Sequence, residues 1–327
     1  MIDKKQPLIS VVVPTYNRAD LITDALESVR AQTYRPLELI VVDDGSTDET
    51  QLVVQNWIAT HVESDEFIAR LIAQENRGGN PARNQGIREA AGDYVAFLDS
   101  DDRWHPDKLK KQFEVIQNHP QMGAVYCGLR HWFADEDRVE ESPRDYPSGD
   151  LLSQMLVHDV TAPTSCYLIR AAVFCEVGLF DETLQARQDW DMWIRVAARY
   201  SIGVVPEALV DYREHAGVRT ASDPWKEIKA YRTIMEKYAN LRAAQSFPVR
   251  QAAKASFFRR MGRVYFHQRI STFKAFGFQF RAILAWPFVF DSYAALFGML
   301  LPRGGRQMVH RGWNKIFGST ALAIKSH

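Results

Sequence analysis

The chain has 327 residues, 46% of them hydrophobic, with 40 basic and 40 acidic side chains. That length suits one large domain plus an appendage, and the apolar share suffices for a sizeable core. Zero net charge excludes a partner chosen by overall charge, and the 3 cysteines (Cys127, Cys166, Cys175) exclude a disulfide framework, so a reduced cytosolic compartment is expected.

The sequence opens Met1-Ile2-Asp3-Lys4-Lys5 and reaches an expected strand by Leu8, with no apolar stretch of signal-peptide type before that strand. The β-branched run 8–13 predicts the first strand, ended by Pro14-Thr15-Tyr16-Asn17. Leu21, Ile22, Ala25, Leu26 and Val29 recur at helical spacing, with Asn17 or Asp20 as cap. Residues 37–42 predict a second strand, then a polar loop over 43–48 and a helix through Leu52, Val53 and Trp57. A weaker third strand covers 67–73. Asn76-Arg77-Gly78-Gly79-Asn80 is a turn signal, and a helix covers 81–90. The run Tyr94-Val95-Ala96-Phe97-Leu98 predicts a buried strand that ends on Asp99-Ser100-Asp101-Asp102. A helix after Pro106 reaches Asn118. Strands thus alternate with helices, the sign of βαβ units and a parallel sheet.

Farther on, 123–127 predicts a strand, 130–149 a polar surface excursion, 164–170 another strand and 188–200 a helix. Two short strands, 202–205 and 209–212, close this part. After about Ser222 the pattern turns helical, over 225–244 and 249–269. The expected organisation is therefore 1–222 and 223–327.

The carboxylates at the end of the 94–98 strand organise the chemistry. Open α/β sheets bind ligands beyond the carboxyl ends of their strands. Hard oxygen ligands there suit Mg²⁺ or Mn²⁺, which can hold a diphosphate. The alternative is an acidic cap for the next helix. Tyr16 and Asp44 stand in the first two strand-to-helix loops, on the same sheet edge. An aromatic face can stack on a base, and a carboxylate can accept from a base N–H or cap a helix. Tyr16, Asp44 and Asp101 would then line one groove, in the order base, ribose, diphosphate and metal. Gly78 and Gly79 match neither the dinucleotide fingerprint nor the P-loop, but Arg83 can meet a phosphate or an acidic neighbour. Asp189 and Asp191, two apart, do not share a helix face: one can enter the groove while the other caps. A carboxylate there can take a proton from an attacking hydroxyl. His215 is either a metal or phosphate ligand or a solvated loop residue.

The series Val11-Val12-Val13-Pro14-Thr15-Tyr16-Asn17-Arg18, Val41-Val42-Asp43-Asp44-Gly45-Ser46, Asn76-Arg77-Gly78 with Ala82-Arg83-Asn84, Phe97-Leu98-Asp99-Ser100-Asp101-Asp102 and Gln188-Asp189-Trp190-Asp191 strongly resembles the family 2 glycosyltransferases over roughly residues 7–218. The resemblance implies a GT-A fold, a Rossmann-like nucleotide-binding mixed sheet flanked by helices, here with a C-terminal helical extension. It implies an inverting, metal-dependent, hexosyltransferase-like enzyme using a UDP- or dTDP-sugar and Mn²⁺ or Mg²⁺. Pro14, Tyr16 and Asp44 would hold the donor base, and Asp99 the ribose or a metal-bound water. Asp101, with His215, would approach the metal and diphosphate, and Asp189 would be the general base. Many relatives carry Glu-Asp where this chain has Gln188-Asp189, so a neighbour that often touches the acceptor is neutral here.

From Gln245 onward there are 13 Lys or Arg and a single acid, Asp291. An acidic body with a basic tail points to phosphates. No nucleic-acid recognition motif accompanies the charge. Residues 282–301 are mostly apolar, broken by Pro287 and Asp291 and flanked by bases, which suggests an in-plane anchor on an anionic cytoplasmic leaflet. The alternative is a helical subdomain packing on the body or on a second copy. The expected acceptor is a glycan or lipid-linked precursor. Rival readings are a binding protein that lost activity, against which Asp44, Asp101 and Asp189 together speak, and a nucleotidyltransferase, which needs a Gly-rich loop that 14–18 lacks. A dehydrogenase would need Gly-x-Gly-x-x-Gly after the first strand.

Overall fold

The structure, a computed structural model, describes residues 6–61, 66–136, 138–141, 145–214 and 223–288, together with 292, 293, 295, 296 and 299. The chain divides into two compact units. The first comprises Met1–Leu151, Val160–Leu184 and Gln188–Gly217.

This unit begins with β1 (Ile9–Thr15), α1 (Ile22–Arg30), β2 (Leu37–Asp43), α2 (Thr50–His61), β3 (Phe67–Ala73), α3 (Gly79–Glu89) and β4 (Tyr94–Phe97). These strands pair in parallel, with Val12 beside Ile40 on one flank and Phe97 on the other. Next come β5 (Arg103–Trp104), α4 (Lys108–Gln117), β6 (Met122–Phe133) and β7 (Arg138–Glu141). After α5 (Leu152–Met155), which belongs to the second unit, follow β8 (Tyr167–Arg170), α6 (Ala171–Val177), α7 (Gln188–Ala197) and β9 (Ser201–Arg213). One mixed sheet runs in the order β3-β2-β1-β4-β8-β6-β9-β5, with β7 paired to β6. β8 is antiparallel to both β4 and β6, and β6 is parallel to β9.

Every residue of β1 and β2 is buried. Strands covered on both faces read as continuous apolar runs, which is why the sequence marks them. Helix α3 lies so close to β1 that a Cβ at Gly86 would stand 2.2 Å from Val12 Cγ1.

Several expectations need correction. Helix α1 starts after Leu21 with no side-chain cap, because Asn17 is used elsewhere. The excursion over 130–149 is in part sheet: β6 runs on to Phe133 and turns back as β7. Their polar residues lie at the sheet margin, where one face meets water and alternation replaces an apolar run. The two short strands after Tyr200 are one strand, β9, which carries Pro206 past a register shift opposite Cys127 and Gly128. A proline is tolerated where the ladder is already interrupted. Of 164–170, only 167–170 is strand, the first turn being 3₁₀.

The second unit comprises Leu152–Asp159, Gln185–Arg187 and Val218–His327. Its helices are α8 (Pro224–Lys237), α9 (Ala239–Ala243), α10 (Phe247–His267) and α11 (Thr272–Ala285). The Asp223 carboxylate accepts from Trp225 N at 2.9 Å, and Pro224 fills the first turn of α8, where its missing N–H costs nothing. Ser271 caps α11 by accepting from Lys274 N at 3.2 Å. The stretch 225–244, expected to be helical, is two helices with a break between α8 and α9. Buried Arg242 sits at that break and donates to the carbonyls of Leu156, Ile234 and Met235 at 2.9, 3.2 and 2.9 Å. A cation at these helix-end carbonyls is favourable, although burial lowers its pKa to about 10. Two small apolar clusters hold the helices: Val157 with Val249, Ala252 and Ala253, and Ala255 with Ala282, Phe258 and Trp286. Among the described residues no helix is long and apolar enough to cross a membrane. Much of the predicted anchor over 282–301 lies outside them; the described part is the end of α11 and the residues just after it.

Candidate active site

β2, β1 and β4 are parallel neighbours, so the loops after them emerge on one edge of the sheet. The ladder continues past the strand ends: Leu98 N donates to Val12 O at 3.1 Å and Asp44 N to Thr15 O at 2.8 Å. Asn17, in the left-handed region with φ 49°, joins the first two loops. Its N–H donates to Ser46 Oγ at 2.9 Å, and its Oδ1 accepts from Thr47 N at 2.8 Å. Arg18 N donates to Thr50 Oγ1 at 2.8 Å. Tyr16 stands just before this clamp and is 43% exposed, so its ring can offer a face to a ligand. Pro14 is buried within β1.

The two acids after β2 divide their labour. Asp43 accepts from Ser46 N at 3.0 Å, from the Ser46 hydroxyl and from Gln51 Nε2 at 2.7 Å, which is the turn-capping role. The Asp44 carboxylate is buried and clamps the 76–78 turn. Its Oδ1 accepts from Gln74 Nε2 at 2.7 Å and Arg77 N at 2.9 Å, and its Oδ2 accepts from Gly78 N at 2.7 Å. Gly78 adopts φ 100°, which side chains rarely allow. A carboxylate has about four acceptor positions, so these contacts leave roughly one for the N–H of a base.

The acids after β4 also take separate roles. Arg83, buried in α3, pairs with Asp99 at 2.5 Å. Its Nε has no hydrogen-bond partner among the described residues. Asp99 N donates to Ser165 Oγ at 3.1 Å, and that hydroxyl donates to Asp102 Oδ2 at 2.6 Å. Asp102 Oδ1 accepts from Arg213 N at 3.1 Å. Burial first, then the charges of Asp99 and Asp101, push the Asp102 carboxyl well above its usual range. Asp101 faces Arg18 at 3.7 Å. Arg213 donates to the Asp101 carbonyl at 3.2 Å and to the Asp24 carboxylate at 2.8 Å. Its guanidinium lies 3.9 Å from the Trp132 ring, against which Arg103 also packs at 3.5 Å.

These carboxylates differ in what they could offer a divalent cation. Asp99 Oδ1 is held by Arg83, and both oxygens of Asp102 are satisfied within the protein, while Asp101 is partly exposed beside Arg18. Asp101 is the carboxylate that suits a cation. No group of three or more His, Cys, Asp or Glu among the described residues could form an all-protein cage. One carboxylate completed by diphosphate oxygens and water is how Mg²⁺ is commonly held, so the residues fit a cation that arrives with its substrate. His215 lies outside the described residues.

In the first turn of α7, Asp189 accepts from Trp190 N at 2.8 Å. Asp191 is fully buried and accepts from Arg195 Nε and Nη2 at 3.1 and 3.0 Å, a structural role. Trp193 fixes the helix by stacking on Tyr167 with centroids 3.6 Å apart. Phe180 packs edge-on to Trp193 and to Phe97 at the end of β4, and lies 6.0 Å from the Arg83 guanidinium. The same aromatic group thus supports both α7 and Arg83. No hydrogen bond or ion pair among the described residues joins Asp189 to the acids at 99–102.

Sequence reasoning missed Arg18, Ser165, Trp132 and Arg213. Ser165 and Trp132 lie far along the chain from the acids they serve, and no spacing marks them. Arg213 carried a signal, since it stands two residues before His215. A cleft of about 730 Å³ is lined by His105, Lys111, Glu141, Tyr146, Glu207 and Leu209.

The fold and site define a GT-A glycosyltransferase: a parallel nucleotide-binding edge, acids at its carboxyl end, and antiparallel strands beyond. The sequence profile of glycosyl transferase family 2 matches residues 10–174, and the chain belongs to that family. It is 31% identical over 228 residues to TuaG of Bacillus subtilis (strain 168), a glycosyltransferase whose name assigns it to teichuronic acid biosynthesis; the match covers 68% of this chain and 85% of TuaG. An uncharacterised glycosyltransferase of Rickettsia prowazekii is 30% identical over 238 residues, 70% of each chain. Among solved structures, S. aureus TarS 1-349 in complex with UDP-GlcNAc shares the fold with a TM-score of 0.63 at 21% identity, covering 94% of this chain and 87% of that one. The mannosyltransferase PcManGT of Pyrobaculum calidifontis, in complex with GDP-Man and Mn²⁺, has a TM-score of 0.58 at 21% identity, covering 97% and 89%.

Proposed function

We propose that this protein is an inverting glycosyltransferase that moves a hexose-like sugar from a UDP- or dTDP-sugar to a hydroxyl of a glycan or lipid-linked acceptor. The observation that carries the reading is the set of acids on one sheet edge, Asp44 beside the 76–78 turn and Asp99 and Asp101 after β4. Tyr16 stacks on the base and Asp44 uses its remaining acceptor position on a base N–H. Asp99 meets the ribose. Arg83, held beside Asp99, has a buried Nε to offer a phosphate.

Asp189 takes the proton from the acceptor hydroxyl as its oxygen bonds to the anomeric carbon. The bond from that carbon to the diphosphate oxygen breaks on the opposite face, so configuration inverts in one displacement. A divalent cation, Mn²⁺ or Mg²⁺, bound at Asp101 with His215 would supply neutralisation of charge on the leaving diphosphate. TuaG's name and the UDP-GlcNAc and GDP-Man complexes support a nucleotide-sugar donor and a cell-surface acceptor. We assign its workplace to the cytoplasmic side of the cell membrane, which suits a lipid-linked acceptor.

A thermal-shift panel of nucleoside diphosphates and nucleotide sugars, with and without Mn²⁺, tests the reading. Stabilisation that needs metal, favours one base and disappears in Asp101→Ala is expected. Folded protein that responds to no nucleotide would refute it.

A further inference from the structure

Among the described residues, one face of helix α11 is packed and the opposite face, rich in large apolar side chains, is exposed. Ala275, Gln279 and Ala282 are buried in the second unit. On the other side Phe273 is 91% exposed, Phe276 41%, Phe280 52% and Leu284 68%, and Phe288, just past the helix, is 64% exposed. At 3.6 residues per turn, the four helical positions fall within an arc of about 80°. Exposed Lys274 and Arg281 border that stripe on one flank. Scattered surface apolars are ordinary, but a contiguous stripe of large rings marks an interaction surface.

The charge of this region identifies the partner. Beyond Gln245 the chain carries 13 bases and one acid. The same region of a second copy would bring a single acid, Asp291, against its own 13 bases, whereas an anionic lipid surface offers a headgroup charge to each of Lys274 and Arg281. Phenylalanine and leucine on one face with lysine and arginine beside them is the composition of a helix that lies in a bilayer interface. With 14 residues, α11 is about 21 Å long, short of the roughly 30 Å hydrocarbon core, so it lies on the membrane and does not span it.

We propose that the face of α11 formed by Phe273, Phe276, Phe280 and Leu284 seats on an anionic lipid surface, with Lys274 and Arg281 at the headgroups. The sequence alone pointed to 282–301; the exposed rings begin nine residues earlier. This inference rests on the membrane address given above, but not on the transferase chemistry.

The test is flotation of the full chain with vesicles of phosphatidylglycerol and phosphatidylcholine, without donor or acceptor. Vesicle binding and the donor thermal shift can therefore fail independently. The wild type should float with mixed vesicles and much less with pure phosphatidylcholine. Phe273→Ser combined with Phe280→Ser should weaken partitioning at least about tenfold. Lys274→Gln and Arg281→Gln should each weaken it about fivefold, the factor for roughly 1 kcal/mol per base near such a surface. These residues are exposed, so melting temperatures should match wild type, which separates lost binding from lost folding. Absence of flotation, equal flotation with neutral vesicles, or flotation that survives the double substitution would each overturn the proposal. So would a concentration-dependent dimer that the double substitution dissolves in protein that never floats, which would give this face to a second copy.

Discussion

Asp44→Asn changes one oxygen to an amide and separates two roles of one side chain. In the native state the Asp44 carboxylate accepts from Gln74 Nε2, Arg77 N and Gly78 N, all at 2.7–2.9 Å. Asparagine has one acceptor oxygen, so its NH₂ must face at least one of these donors. Gly78 cannot turn its N–H away cheaply, because the φ of 100° that presents it is fixed by the turn. A hydrogen bond to a charged acceptor contributes about 1.5–3 kcal/mol, and the stranded donor adds its own desolvation cost. The sum is about 3 kcal/mol, which for a unit of this size is a fall in melting temperature of roughly 6–12 °C. The assay is a thermal melt of the nucleotide-free variant, followed by nucleotide titration. If Asp44 serves the donor base alone, the melt is unchanged and only nucleotide affinity falls. A melting temperature within about 1 °C of wild type would refute the clamp.

Asp189→Asn should lower kcat by about 10²–10⁴-fold while leaving nucleotide affinity unchanged; retained turnover would remove the residue from the base role. Gly86→Ala should destabilise by about 1–3 kcal/mol although alanine is the better helix former, because its Cβ would stand 2.2 Å from Val12 Cγ1; a stabilised variant would contradict that packing. Burial first, then Arg259, lowers the His158 pKa to about 4 from an ordinary 6.5. The unfolded chain takes up that proton first, so stability is complete above pH 6.5 and falls as pH drops towards 4, by up to about 3 kcal/mol. Denaturant melts of wild type and His158→Gln across that window should show a shallower acid-side loss in the variant, and parallel curves would exclude the histidine.

The sequence by itself determined the parallel half of the sheet. β1, β2 and β4 are buried on both faces, so their residues had to be continuous apolar runs, and the polar loops after them had to share an edge. The acids at 43–44 and 99–102 were legible as candidates for the same reason: they directly follow buried parallel strands, on the edge where open sheets bind ligands, while those at 189–191 stood out only as acids at a helix start. The antiparallel half was less legible. β6 continues through Arg130 and His131 into a margin where one face meets water, and β9 carries a proline at a break in its ladder. Alternation is a weaker signal than a run, and the interruption divides one strand into two. What only the tertiary structure decided is the division of labour among the carboxylates. Asp43 caps and Asp44 clamps; Asp99 pairs with Arg83; Asp102 is buried against Ser165 and Arg213, and Asp191 against Arg195. An aspartate's chemistry is set by the donors and charges around it, and the two donors that hold Asp102 come from segments more than sixty residues away in the chain.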